Sequence, residues 1–170
     1  MSRTLVTYAS KHGSTAEVAV RIAQRLEEAG YDVELLPASR AQSIDGFDCV
    51  VLGGALYMGR LHPDARRFVQ RHASELTVAT VAVFALGPRT LAVEDVAASR
   101  KQLDRDLARL PDVAPSLVAV FGGAVDPAKF HWPFSHMAAS DARDWQAIDL
   151  WADEVAALAR PLPNQARVSV

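Results

Sequence analysis

Ser10-Lys11-His12-Gly13-Ser14-Thr15 gathers three hydroxyls, an amine, an imidazole and a glycine into consecutive positions. Such a set suits an anion. Hydroxyls donate without bulk, and Gly13 lets the backbone close tightly with no side chain in the path of a ligand. The run stands between an apolar segment, Leu5 to Ala9, and a helical stripe of Val18, Ile22 and Leu26. It is therefore expected as the turn from a strand into a helix, where the leading N–H groups and the dipole behind them attract negative charge. Phosphate is the expected anion, held by the hydroxyls of Ser10, Ser14 and Thr15 and by the N–H groups of His12 to Thr15. Lys11 and His12 either add charge or are solvated turn residues. Ser10 or Ser14 alternatively only caps the helix. The run matches neither GxxxxGK[ST] nor GxGxxG, the nucleoside triphosphate and dinucleotide patterns.

Few other residues read as chemistry in their own right. His62 and His72 fall on an expected loop and an expected helix without the spacing of a zinc site. His131 and His136 share one loop and make a weak pair, so no metal centre is expected. No GxSxG elbow is present. Cys49 lies inside an apolar run and reads as a small buried hydrophobe. Catalysis, on this reading, belongs to a bound cofactor that the protein orients.

The elements that must position the anion loop follow from the apolar pattern. Thr4 to Tyr8 is a strand, and the helix that begins at Gly13 to Ser14 stops at Gly30. Tyr31 to Leu36 is an outer strand ended by Pro37, and Ala38 to Phe47 is a polar connection. Cys49 to Leu52 is a continuous apolar run of the kind found in central parallel strands. Gly53 to Leu61 is expected as a glycine-punctuated loop. Pro63 and Asp64 open a helix to about Leu76, with Phe68, Val69 and Leu76 inward. Ala79 to Ala85 is the fourth strand, followed by the loop Leu86-Gly87-Pro88-Arg89-Thr90. A helix over Val93 to Leu110 turns Val96, Leu103, Leu107 and Leu110 inward. Leu117 to Phe121 is the fifth strand, Gly122 to Ser140 a long loop, and Asp141 to Leu158 a helix carrying Trp145, Ile148, Trp151 and Val155. Alternating strands and helices predict an α/β fold, a doubly wound five-stranded parallel sheet with helices on both faces. Residues 1–160 are expected as one domain and 161–170 as a loosely held tail.

Composition narrows the function class. Half of the 170 residues are hydrophobic and 22% are charged, which fits an ordinary globular domain. A formal net charge of −2 argues against a general nucleic-acid binder. One cysteine permits no intrachain disulfide, so a reducing, cytoplasmic setting is expected. No signal-peptide pattern and no apolar run approaching the ~20 residues of a membrane span is visible. Peripheral membrane contact stays open.

Three stretches that follow strand ends resemble the flavodoxin-like family, over Arg3 to about Leu158. Ser10 to Thr15 resembles the loop that wraps the phosphate of FMN. Gly53-Gly54-Ala55-Leu56-Tyr57-Met58-Gly59 is similar to the loop on one side of the isoalloxazine, and Leu86-Gly87-Pro88-Arg89-Thr90 stands in the place of the loop on the other. The resemblance implies an FMN cofactor and a sheet ordered second, first, third, fourth, fifth strand. It implies that Ser10, Lys11, His12, Gly13, Ser14, Thr15, Gly54, Ala55, Leu56, Tyr57, Met58, Gly59, Leu86, Gly87, Pro88 and Arg89 line the cofactor. Trp132, with Phe130, is expected over the ring or a substrate, or else tucks its loop against the core. Met58-Gly59 is similar to a pair that short flavodoxins place beside the ring, where the peptide near glycine turns to accept a hydrogen bond from reduced N5. That makes Gly59, with Arg60, the candidate catalytic positions. Gly59 alternatively only turns the chain toward Pro63.

Within the family, Gly59-Arg60-Leu61-His62-Pro63 with Phe68-Val69-Gln70-Arg71-His72, and Val120 to Ala124 with Lys129 to Trp132, look most like the flavodoxin-type protoporphyrinogen oxidases. Those enzymes draw electrons from porphyrinogen and pass them to quinones. The segment from Trp132 to Asp141 is shorter here than their insertion. The implied function is an FMN-dependent oxidoreductase that moves electrons from a reduced substrate, a porphyrinogen-like compound among the candidates, to a quinone or similar acceptor. An electron carrier serving a redox partner protein is the alternative, and a binding module that has lost FMN is a further one. Arg60, His62, Arg66, Arg67 and Arg89 lie near the two ring loops in sequence. Positive charge there would stabilise reduced, anionic flavin and favour two-electron chemistry; alternatively the arginines are a solvated helix face.

Overall fold

The computed structural model describes residues 2–110, 113–126, 128 and 139–160. The elements run β1 (Arg3–Ala9), α1 (Ser14–Glu28), β2 (Asp32–Pro37), β3 (Cys49–Tyr57), β4 (Arg60–Leu61), α2 (Pro63–Arg71), α3 (Ala73–Leu76), β5 (Thr80–Leu86), α4 (Val93–Leu107), β6 (Leu117–Phe121), β7 (Ala124–Val125), β8 (Ser140–Asp141) and α5 (Trp145–Ala159). The main sheet has the order β2-β1-β3-β5-β6, and every pair along that path is parallel. Counting only the five long strands, this is the order second, first, third, fourth, fifth. Short β4 pairs antiparallel with the end of β3, and β7 pairs with β8 away from the main sheet.

Alternation along β1 sets the two layers. Leu5 points to one face, where it joins Phe68, Val69, Leu103 and Leu107 from α2 and α4. Val6 points to the other, where Val18 and Ile22 of α1 and Ile148, Trp151 and Val155 of α5 cover the sheet. Phe84, Phe121 and Trp151 close that second core, with ring centroids 5.8 to 6.1 Å apart and Trp151 edge-to-face with both phenylalanines. Helix starts follow their caps. His62 Nδ1 accepts from Asp64 N–H at 3.2 Å with Pro63 next in line, and Asp144 accepts from Ala147 N–H at 3.1 Å. Gly30, at φ 89°, lies just past the end of α1.

Several boundaries differ from the sequence reading. Gly53 to Leu61 is not a loop. β3 continues to Tyr57, and a two-residue turn at Met58-Gly59 returns the chain as β4. The glycines are strand residues because neighbours occupy the space a side chain would take. A Cβ on Gly53 would lie 2.1 Å from Phe84 Cζ, and one on Gly54 would lie 2.8 Å from Leu61 Cδ1. The helix from Pro63 to Leu76 is broken at His72, whose buried ring turns inward to Ala41 O at 3.0 Å and lies against Phe68. α4 ends at Leu107, not Leu110, and Val96 is only half-buried. Trp145 is 39% exposed at the first turn of α5, under the Arg143 guanidinium, and is not part of the inward stripe. The long loop after β6 carries β7 and β8 at its ends. Phe130, His131, Trp132 and His136, and the tail 161–170, lie outside the described residues.

Candidate functional site

Parallel pairing brings the three sequence-predicted stretches to one edge. Ala9 of β1 stands opposite Gly54 of β3, and Ala55 stands opposite Leu86 of β5. Ser10, the β3–β4 hairpin and Gly87 therefore leave the sheet side by side, at the carboxyl ends of adjacent strands, where ligands of open α/β sheets bind.

The first stretch is a tight turn into a helix. Gly13, at φ 92°, occupies the left-handed region that an L side chain adopts only with strain, and it precedes α1 directly. Ser10 Oγ accepts from Gly13 N–H at 2.8 Å, which closes the turn and leaves the Ser10 hydroxyl proton to donate outward. Glu17 N–H to Gly13 O, at 3.1 Å, is the first bond of the helix, so the N–H groups of Ser14, Thr15 and Ala16 lie ahead of it. Thr15 is fully buried, and its Oγ1 has no hydrogen-bond partner among the described residues. A buried hydroxyl without a partner is destabilising unless a ligand supplies one. A phosphate at this helix start would do so, and the donor set of Ser10, Ser14 and Thr15 fits it. Lys11 is exposed, and His12 is half-buried.

The second stretch is a hairpin whose tip projects from the sheet. Met58, at φ 49°, and Gly59, at φ 77°, form the two-residue turn, the sign pattern of the tight turns that match strand twist. Met58 is 96% exposed and Tyr57 57%, so a polarisable chain and an aromatic ring stand open to a ligand. Ala55 and Leu56 are half-buried behind them, while Gly54 is buried under Leu61 and Ala65. Gly54 thus serves hairpin packing. The third stretch is held by its backbone. Gly87 N–H donates to Phe121 O at 3.1 Å, and Pro88 O accepts from Gly123 N–H at 2.8 Å. Leu86 is buried in the core beside β6, and Pro88 is buried too, whereas Arg89 and Thr90 are exposed. Trp132 lies outside the described residues.

The arginines divide. Arg66 turns inward, with Nε 3.9 Å from Asp106 Oδ2, and Arg67 pairs with Asp64 at 2.9 Å. His62 caps α2 through Nδ1. Arg60 on β4 and Arg89 on the third stretch are both exposed.

A cavity of about 420 Å³ adjoins the anion turn. Its walls include His12, Ser14 and Glu17 on one side and Val125, Asp126 and Arg143 on the other, and take nothing from the hairpin or from Leu86 to Thr90. Arg143 pairs with both Glu17 and Asp141. Its hydrogen bonds hold Asp141 below the usual carboxylate range and raise its own pKa further. Sequence reasoning missed this wall. The signal available was Glu17, one turn into α1 from the hydroxyl run. Among the described residues, no group of three or more His, Cys, Asp or Glu stands placed to hold a metal ion, and no helix is long and apolar enough to cross a membrane.

Comparison with known proteins agrees with this geometry. The family model described as a flavodoxin domain matches residues 5–137. The protoporphyrinogen IX dehydrogenase [quinone] of Escherichia coli strain K12 is 23% identical over 173 aligned residues, covering 92% of this chain and 96% of that protein. Among solved structures, the Streptococcus pneumonia TIGR4 flavodoxin superposes with a TM-score of 0.62 at 19% identity, covering 92% of this chain and 99% of its own. Oxidised flavodoxin 2 from Bacillus cereus gives 0.60 at 21% identity, with the same coverage.

Proposed function

The chain belongs to the flavodoxin-domain family, and on that premise we propose that it is an FMN-binding oxidoreductase. It would accept electrons from a reduced small molecule and deliver them to a quinone or similar acceptor. The observation that carries the reading is the unpartnered, buried Thr15 hydroxyl at the start of α1, beside the Ser10 and Ser14 hydroxyls. When bound, FMN supplies the electron chemistry through its ring. Ser10, Ser14 and Thr15 hold its phosphate by hydroxyl and N–H donation. Tyr57 and Met58 on the hairpin, and Gly87 to Thr90 opposite, orient the ring and keep water from its faces. Gly59 supports the turn, and Arg60 supplies positive charge at its base, which favours the reduced state.

The substrate side draws support from the protoporphyrinogen relative, a quinone-linked dehydrogenase in its printed name. A porphyrinogen-like donor is therefore the first to test. The likeness to flavodoxin structures favours a second reading, an electron carrier serving a redox partner protein. The visible spectrum of the purified protein, followed by anaerobic mixing with porphyrinogen and then a quinone, separates the two. The enzyme reading expects bleaching by the donor and recovery on adding quinone. A flavin-loaded protein that neither compound changes would sink the enzyme and leave the carrier.

A further inference from the structure

α4 touches both candidate ring loops with one face. The space beside the Cβ position of Gly87 is filled by Ser99, 3.1 Å away, and that of Gly59 by Gln102, 3.7 Å away. One turn further on, Asp106 Oδ2 accepts from Leu61 N–H at 2.9 Å. Ser99, Gln102 and Asp106 are spaced i, i+3, i+7, which places them in one row along a helix. Leu61 in turn packs on Gly54, so the hairpin is gripped from its base. The same helix begins shortly after Thr90 and so is continuous with the third stretch.

Asp106 is unusual among the carboxylates of the described residues. It is 2% exposed, its Oδ1 has no hydrogen-bond partner, and the nearest cation, Arg66, stays at 3.9 Å with its own Nε unpartnered. A carboxylate buried with so little compensation is a poor source of stability. What it does provide is a direct, directional bond from α4 to the hairpin.

Resting on the FMN reading above, we propose that Asp106 is a positioning residue for the flavin. Its carboxylate oxygen ties β4 to α4 and so fixes where Met58, Gly59 and Arg60 stand relative to Gly87 to Thr90. The gap between the two stretches is then set by the length of one helix, from Ser99 to Asp106.

Two substitutions separate the bond from the charge. Asp106→Asn keeps an oxygen to accept from Leu61 N–H and removes the charge. Asp106→Leu removes both while keeping a side chain branched at Cγ. Asp106→Ala makes the same comparison should the leucine variant not fold. The readouts are the FMN dissociation constant, the flavin midpoint potential, and hydrogen exchange at the Leu61 amide in the FMN-free protein. The expected result is near wild-type FMN affinity for D106N. For D106L, binding about tenfold weaker than D106N, a displaced potential relative to D106N, and about tenfold faster exchange at Leu61 are expected. Equal FMN affinity and potential in D106L and D106N overturn the proposal, whatever their melting temperatures. So does unchanged exchange at Leu61. A wild-type protein that takes up no FMN overturns the underlying reading and this proposal with it, and that failure is visible before any variant is made.

Discussion

Thr15→Val should move stability and cofactor affinity in opposite directions. The Thr15 side chain is fully buried, and its Oγ1 bonds to nothing among the described residues. Leaving a buried hydroxyl unpaired costs about 1–3 kcal/mol. Valine keeps the β-branched shape, has a similar helix propensity and removes that penalty. The FMN-free variant should therefore gain about 1 kcal/mol or more, and each kcal/mol raises the melting temperature by roughly 2–4 °C in a chain of this size. A hydrogen bond to a charged phosphate contributes about 1.5–3 kcal/mol, so the same variant should bind FMN about 10- to 100-fold more weakly. Calorimetry of the FMN-free protein reads the first effect, and quenching of FMN fluorescence on titration reads the second. Unchanged FMN affinity refutes the assignment of Thr15 to the phosphate. A variant less stable than wild type without FMN refutes the unpaired hydroxyl.

Gly53→Ala drives a methyl to within 2.1 Å of Phe84 Cζ, on a ring enclosed by Phe121 and Trp151. Overpacking of this kind costs about 1–3 kcal/mol, so chemical denaturation should show a lower midpoint with the slope unchanged. Burial pushes the Cys49 thiol up to about 12, so it should resist alkylation at neutral pH in the native protein and react once urea unfolds it. The hydrogen bond from Arg21 holds Asp149 below its ordinary value of 3.8. A depressed carboxylate contributes stability that is full above the unfolded value and fades as pH falls through the folded one. Asp149→Asn should therefore flatten the acid-side fall of the melting temperature. Added salt should shrink the difference between variant and wild type, because both partners are in part open to solvent.

The long elements were legible because each has a strong local signal. The stripe of Val18, Ile22 and Leu26 and the stop at Gly30 mark α1, and the apolar run from Cys49 marks β3. What stayed hidden depends on contacts distant in sequence. Gly53 and Gly54 read as loop residues, yet they are strand positions because Phe84 and Leu61 fill the space above them. The break at His72 comes from a bond to Ala41, thirty-one positions away. Asp106 carries no local signal in the sequence, and only the return of β4 makes it a buried acceptor. The turn into α1 was legible as a turn, with Gly13 at its positive φ and Ser14 opening the helix. The charge argument was readable only in part, since Asp64 and Asp106 set carboxylates against Arg67 and Arg66.

Equilibrium binding of FMN compared with riboflavin, the same ring without its phosphate, tests the central claim most directly. A phosphate held by the Ser10, Ser14 and Thr15 donors predicts FMN at least ~100-fold tighter than riboflavin, the sum of two or more charge-assisted bonds. Equal affinity for the two, or no binding of either, would contradict a phosphate site at the start of α1.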